Sequence, residues 1–215
     1  MKLESLMNFM QKLNNSIATH IFVGGSTVKD NVTEMLVIEI KKHTKLPVVI
    51  FPGDISQITD YANAILFLSL ISGRNSDYLI GKHVASVPKL RTTNLEVIPT
   101  GYILIENGKE TAVQRVTETQ PMSYNSEIID TAKAGELLGM KLMYLEAGSG
   151  AIHPVPLELI KNTKETLSIP LIVGGGIRKK QQLDEAYQSG ADLVVIGTAF
   201  EDDIDFFNEL KREAN

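Results

Sequence analysis

The feature that most constrains this chain is a repeat of short, nearly continuous apolar runs separated by amphipathic stretches. The runs are Thr19–Val23, Pro47–Phe51, Ala64–Leu70, Val97–Ile105, Lys141–Leu145, Pro170–Val173 and Asp192–Ile196. A strand with one wet face alternates apolar and polar residues, and most of these do not. They fit strands covered on both faces, as in a parallel sheet. Between them lies helical spacing, as in Ile128, Ile129, Ala132 and Leu137, or Leu183, Ala186 and Tyr187. Gly or Pro stands at most boundaries, where each ends one element and admits the next. Repeated βα units of this kind point to an α/β protein with a (β/α)8 TIM-type barrel.

The strand count stops at seven. The chain opens on a helical pattern instead, with Leu3, Leu6, Met7, Met10, Leu13 and Ile17 on one face. A barrel normally begins with a strand, and seven parallel strands leave a gap of unpaired backbone groups. The expectation is a barrel lacking its first strand, or an open sheet. The polar segment from Glu106 to Tyr124 reads as a strand extension and a loop over one barrel end. No linker or charge block divides the 215 residues, so the reading is one domain over 1–215.

Composition narrows what such a barrel can serve. With 21 Lys and Arg against 26 Asp and Glu, no broad basic surface is available for nucleic acid. The longest apolar run, Ile65–Ile71, is far shorter than the roughly 20 residues a membrane-crossing helix needs. The 215 residues do not open on a basic stretch followed by an apolar run, so secretion is not the expectation. The absence of cysteine removes disulfides, thiolate metal ligands and Cys nucleophiles together, and suits a cytoplasmic protein. His20, His43, His83 and His153 share neither paired spacing nor a face, which argues against a His-rich metal centre.

Three motifs fall at strand ends, where barrels carry their chemistry. The first is Val173-Gly174-Gly175-Gly176-Ile177-Arg178, followed about twenty residues later by Val195-Ile196-Gly197-Thr198-Ala199. Glycines let backbone N–H groups approach an anion closely, and Thr198 adds a hydroxyl donor. On consecutive strands, Gly175, Gly176, Gly197 and Thr198 suggest a phosphate site; alone, each turn could be merely tight. The second motif is Tyr144-Leu145-Glu146-Ala147-Gly148-Ser149-Gly150. Tyr144 and Glu146 are two apart, so on a strand their side chains leave the same face. A carboxylate there can hold a hydroxyl and accept its proton, or it can be a solvated loop residue. The third is Phe22-Val23-Gly24-Gly25-Ser26. Ser26 could offer oxygen to Mg²⁺ or phosphate, or cap the next helix. Asp54, in Pro52-Gly53-Asp54, is open between cap and site in the same way.

Taken in order, these strings resemble the geranylgeranylglyceryl phosphate synthase family over essentially the whole chain. The Tyr-Leu-Glu-Ala-Gly-Ser-Gly string is highly specific, whereas the glycine turns occur in many phosphate-binding barrels. The resemblance implies a modified barrel that joins sn-glycerol 1-phosphate to geranylgeranyl diphosphate with Mg²⁺, giving a prenyl ether. It implies substrate contacts from residues 144–150, with Gly175, Gly176, Gly197 and Thr198 on the phosphate and Tyr144 and Glu146 on the glycerol. Glu146 would be the general base and Ser26 a metal ligand, with a homo-oligomer as the common assembly. An apolar groove along the mouth should take the prenyl tail. Family members begin with a strand ending in an Asp-Pro-Asp-Lys-like motif, whose aspartate helps bind the metal. This chain starts after that point, so an N-terminally truncated barrel is the expectation. A phosphosugar-processing barrel enzyme and a non-catalytic phosphate-binding barrel are the alternatives. The acidic run Asp202-Asp203-Ile204-Asp205 resembles diphosphate-binding clusters of all-helical prenyl synthases. Here it opens a helix after the last strand, where capping explains it.

Overall fold

The computed structural model describes residues 3–25 and 32–212. Its strands are β1 (Ile21–Gly25), β2 (Val48–Pro52), β3 (Ala64–Leu70), β4 (Glu96–Leu104), β5 (Leu142–Glu146), β6 (Leu171–Gly174) and β7 (Leu193–Val195). All pair in parallel, each with the next in sequence, in one seven-stranded sheet. Every predicted run is a strand, displaced by at most two residues at either end.

The helices are α1 (Leu3–Asn14), α2 (Val32–His43), α3 (Lys82–Leu90), α4 (Ala112–Thr117), α5 (Asn125–Leu137), α6 (Leu157–Thr166), α7 (Lys180–Gln188) and α8 (Thr198–Asp202). One apolar layer lies between sheet and helices. Ile103, Met143, Leu145, Leu171 and Val173 pack there against Ile128, Ala132, Leu159 and Ile160. A second cluster fills the concave side, where Leu70, Tyr102, Leu104, Tyr144 and Ile172 meet Phe22 of β1 and Val195 of β7. Side chains from the first and last strands reach this one interior, so the sheet curls as a TIM-type barrel short of one strand.

A 3₁₀ segment, Ile204–Leu210, spans the two outer strands. Its Phe206 and Leu210 pack with Val194 and Ile196 on the β7 side. Its Phe207 joins Ile21, Val23, Leu6 and Met10 on the β1 side. The Phe9 and Phe207 rings meet edge-on at 5.1 Å. Backbone bonds from Ile17 N–H to the Leu210 carbonyl (2.9 Å) and from Arg212 N–H to the Asn15 carbonyl (3.1 Å) tie the two chain ends together.

Three expectations need correction. Of the apolar stripe at the start of the chain, Leu6, Met10 and Leu13 of α1 are buried, while Met7 and, beyond the helix, Ile17 are exposed. The stripe that meets Phe207 and β1 is narrower than the apolar stripe of the sequence. Leu137 and Tyr187 are likewise exposed ends of otherwise buried patterns. The segment 106–124 also holds a helix, α4, rather than only a strand extension and loop. Thr111 and Gln114 form a reciprocal capping box that starts it despite its polar surroundings.

The unit after β2 is different. Elsewhere a helix follows each strand, but between β2 and β3 there is only a 3₁₀ turn, Ile55–Gln57. Those two strands pair at just two positions, Val49 with Ala64 and Ile50 with Ile65. By contrast β3 and β4 pair at seven. Beyond residues 50 and 65 the strands part, and an apolar groove runs out through the opening.

Candidate active site

Two cavities meet at the strand ends. The polar one, about 400 Å³, is lined by Ser149 after β5, Gly175, Gly176 and Arg178 after β6, and Gly197 and Thr198 after β7. That volume lies within the roughly 300–1,000 Å³ usual for small-molecule sites. The two loop hydroxyls approach, Ser149 Oγ lying 3.3 Å from Thr198 Oγ1. Thr198 Oγ1 also accepts the Gly150 N–H at 3.1 Å. Strands β5, β6 and β7 thus bring together the donors that the sequence holds apart. Gly175 and Gly176 both have positive φ, and a Cβ on Gly176 would lie 2.6 Å from the Pro154 nitrogen. Only glycine serves there.

Tyr144 and Glu146 project from β5 into the same cavity, as their spacing predicted. Both are buried. Burial pushes the Glu146 carboxyl above its ordinary range, opposed by hydrogen bonds from the Tyr144 hydroxyl and the Gly148 N–H. The latter donates to Oε1 at 2.6 Å. Burial, then the nearby Glu146 charge, raises Tyr144 well above the usual tyrosine value. Tyr144 therefore stays a hydroxyl, and Glu146 holds its proton more tightly than a surface glutamate does. Leu145 and Ala147 belong to the layer under the helices. Their side chains leave the opposite face and do not line the cavity. Asn107 Nδ2 holds the Ala147 carbonyl and so fixes the turn after β5.

The apolar groove is lined by Phe51, Leu66, Leu68 and Leu70 from β2 and β3, and by Val113 and Val116 from α4. Tyr78 lies on a single π-helical turn before α3 and donates to the Val116 carbonyl at 3.1 Å. Phe51, Tyr102 and Val113 line both cavities. The Phe51 and Tyr102 rings form a cluster with that of Tyr144: Phe51 to Tyr144 is 5.7 Å, Phe51 to Tyr102 is 5.9 Å and Tyr102 to Tyr144 is 5.3 Å. These common-wall residues were missed in the sequence. Tyr102 stands in register with Tyr144 on the next strand, a pairing only the sheet creates.

Asp54 is a cap: it accepts the Ser56 N–H at 3.0 Å, and it pairs with Lys82 at 3.2 Å. Asp203 caps the last 3₁₀ segment through the Asp205 N–H. Ser26, the expected metal ligand, lies outside the described residues. Among those residues no three His, Asp or Glu side chains converge.

Known proteins bear on this arrangement. A geranylgeranylglyceryl phosphate synthase from Flavobacterium johnsoniae is 59% identical over 209 residues, covering 95% of this chain and 85% of that protein. One from Zunongwangia profunda is 55% identical, covering 92% and 85%. The crystal structure of (S)-3-O-geranylgeranylglyceryl phosphate synthase from Thermoplasma acidophilum, in complex with sn-glycerol-1-phosphate, superposes with a TM-score of 0.89 at 31% identity. That match covers 98% of this chain and 85% of that one. The model of the PcrB family matches residues 4–213. With a barrel of this form and relatives this similar, the chain belongs to the PcrB family, that of these geranylgeranylglyceryl phosphate synthases.

Proposed function

We propose that this barrel transfers a geranylgeranyl group from its diphosphate to sn-glycerol 1-phosphate, as the enzymes it is similar to are named for doing. The observation that carries the reading is the shared wall. A polar cavity with glycine and hydroxyl donors opens, across Phe51, Tyr102 and Val113, into an apolar groove. An acceptor with a phosphate fits one side and a hydrocarbon tail fits the other, so the reacting carbon sits where they meet.

In this reading Gly175, Gly176, Gly197 and Thr198 hold the glycerol phosphate. Tyr144 and Glu146 orient the glycerol. Glu146 takes the proton of one glycerol hydroxyl while that oxygen bonds to the first prenyl carbon. The carbon–oxygen bond to diphosphate breaks, and its electron pair leaves with the diphosphate. Ring faces of Phe51 and Tyr102 favour positive charge building on the allylic carbon. The tail lies in the groove, where each buried methylene contributes about 0.8 kcal/mol.

The reading covers residues 1–215 as one prenyltransferase-type domain. Magnesium dependence comes to it from the family resemblance alone. Self-association has support in Leu137 and Leu138, both highly exposed at the end of α5. A cytoplasmic site of action rests on the absence of cysteine, and no described helix is long and apolar enough to cross a membrane. The test is transfer of radiolabelled geranylgeranyl from its diphosphate to sn-glycerol 1-phosphate, run with Mg²⁺ and with EDTA. A labelled phosphate ether is the expected product. No product with either metal condition sinks the reading, and equal rates in EDTA remove magnesium from it.

A further inference from the structure

We propose that Arg178 is the cation that binds the phosphate of sn-glycerol 1-phosphate, and that Asp202 holds it in reserve while the site is empty of anion. The proposal rests on the functional reading above and adds to it a residue and a competition.

The polar cavity is lined by two carboxylates, Glu146 and Glu201, and among the described residues lining it Arg178 is the one cation. A phosphate monoester brings up to two further negative charges into that space. Glycine N–H groups and the Thr198 hydroxyl give it hydrogen bonds but no net positive charge. Arg178 stands two residues after Gly176, directly beyond the turn assigned to the phosphate, and its planar guanidinium matches phosphate oxygens in pairs.

How Arg178 is held supports the same role. Its base is fixed, since its backbone N–H donates to Gln182 Oε1 at 2.8 Å. Its head is loosely held. The guanidinium lies 3.7 Å from Asp202, too far for a hydrogen bond, with the two side chains 40% and 67% exposed. Such an exposed pair contributes little to the fold. An arginine that served only to hold α8 in place would not need to face the cavity. A phosphate at the glycine turn competes with Asp202 for the guanidinium and has more charge and more acceptors.

Calorimetric titration with sn-glycerol 1-phosphate and steady-state kinetics test this on wild type, Arg178→Gln, Arg178→Lys and Asp202→Asn. Arg178→Gln should weaken glycerol phosphate binding by roughly ten- to a hundredfold, as expected for losing charge-assisted hydrogen bonds. The KM for the prenyl diphosphate should stay within about twofold. Arg178→Lys should recover part of the affinity, because it keeps the charge but not the fork. Asp202→Asn should tighten glycerol phosphate binding, and the gain should vanish in the double variant with Arg178→Gln. Unchanged glycerol phosphate affinity in Arg178→Gln overturns the proposal, as does a loss that falls on the prenyl diphosphate instead. Unchanged affinity in Asp202→Asn overturns the reserve role. Active wild type with an indifferent Arg178→Gln condemns only this inference, whereas inactive wild type condemns the functional reading beneath it.

Discussion

A carboxylate buried as deeply as Glu146 costs stability whenever it is charged. Its pKa is raised in the folded state, so the fold holds that proton more tightly than the unfolded chain does. The resulting stability is fully present below the ordinary glutamate value, about 4.3, and is lost as pH rises through the raised one. Two outcomes are expected. The acid limb of kcat/KM should lie above the ordinary glutamate range, because the base must be ionised to act. Glu146→Gln should lower turnover by about 10²–10⁴ yet raise the melting temperature at pH 7, with glycerol phosphate binding still measurable. Turnover near wild type at saturating substrate removes Glu146 as the base, and calorimetry reads the stability. The phosphate turn has its own test. A side chain at Gly176 would strike the 153–154 backbone, but a Cβ on Gly197 meets nothing within 4 Å. Gly197→Asp should therefore abolish glycerol phosphate binding while leaving the circular dichroism spectrum unchanged; retained affinity would remove Gly197 from the site. Tyr144 and Glu146 were legible in the sequence because a two-residue spacing on one strand fixes their common face. Tyr102 and Phe51 were not, since only lateral strand pairing brings them beside Tyr144.

At the scale of elements, the seven strands were legible because burial on both faces leaves near-continuous apolar runs, as in Ala64–Leu70. Helix α4 was hidden because six residues carry too little periodicity, and its start depends on the Thr111–Gln114 capping box. That short helix nonetheless forms one wall of the apolar groove through Val113 and Val116. Val116 is 44% exposed, so a larger side chain there has room to be accommodated without disturbing the core. Val116→Trp should raise the KM for a long prenyl diphosphate by several-fold and change that for a short one less. The glycerol phosphate KM should be unaltered. Kinetics with substrates of two chain lengths check this, and equal effects on both lengths would detach α4 from the tail.

Across the whole molecule, the barrel's architecture followed from counting units, but the way its outer strands are bridged did not. The aromatic contacts of Phe9, Phe200 and Phe207 join segments nearly two hundred residues apart, and no local pattern announces them. The parting of β2 from β3 was equally silent, since each strand alone looks ordinary. It divides the sheet into two leaves. One is β1 with β2, paired at five positions and braced by Gln57, which donates to the Gly25 carbonyl and accepts the Gly53 N–H. The other is β3 through β7. Beyond the two paired positions, the bonds across this line include the Lys82–Asp54 contact and the reach of Lys89 to the Ile55 and Ser56 carbonyls, all at exposed side chains. The sheet is thus most sparsely paired along this line, although Val49 and Phe51 of β2 still pack with Ala64, Leu66 and Leu68 of β3. A hydrocarbon lodged along that line would lie between strands as well as between side chains, so the tail accepted would depend on the spacing of β2 and β3 as well as on which side chains stand in the way.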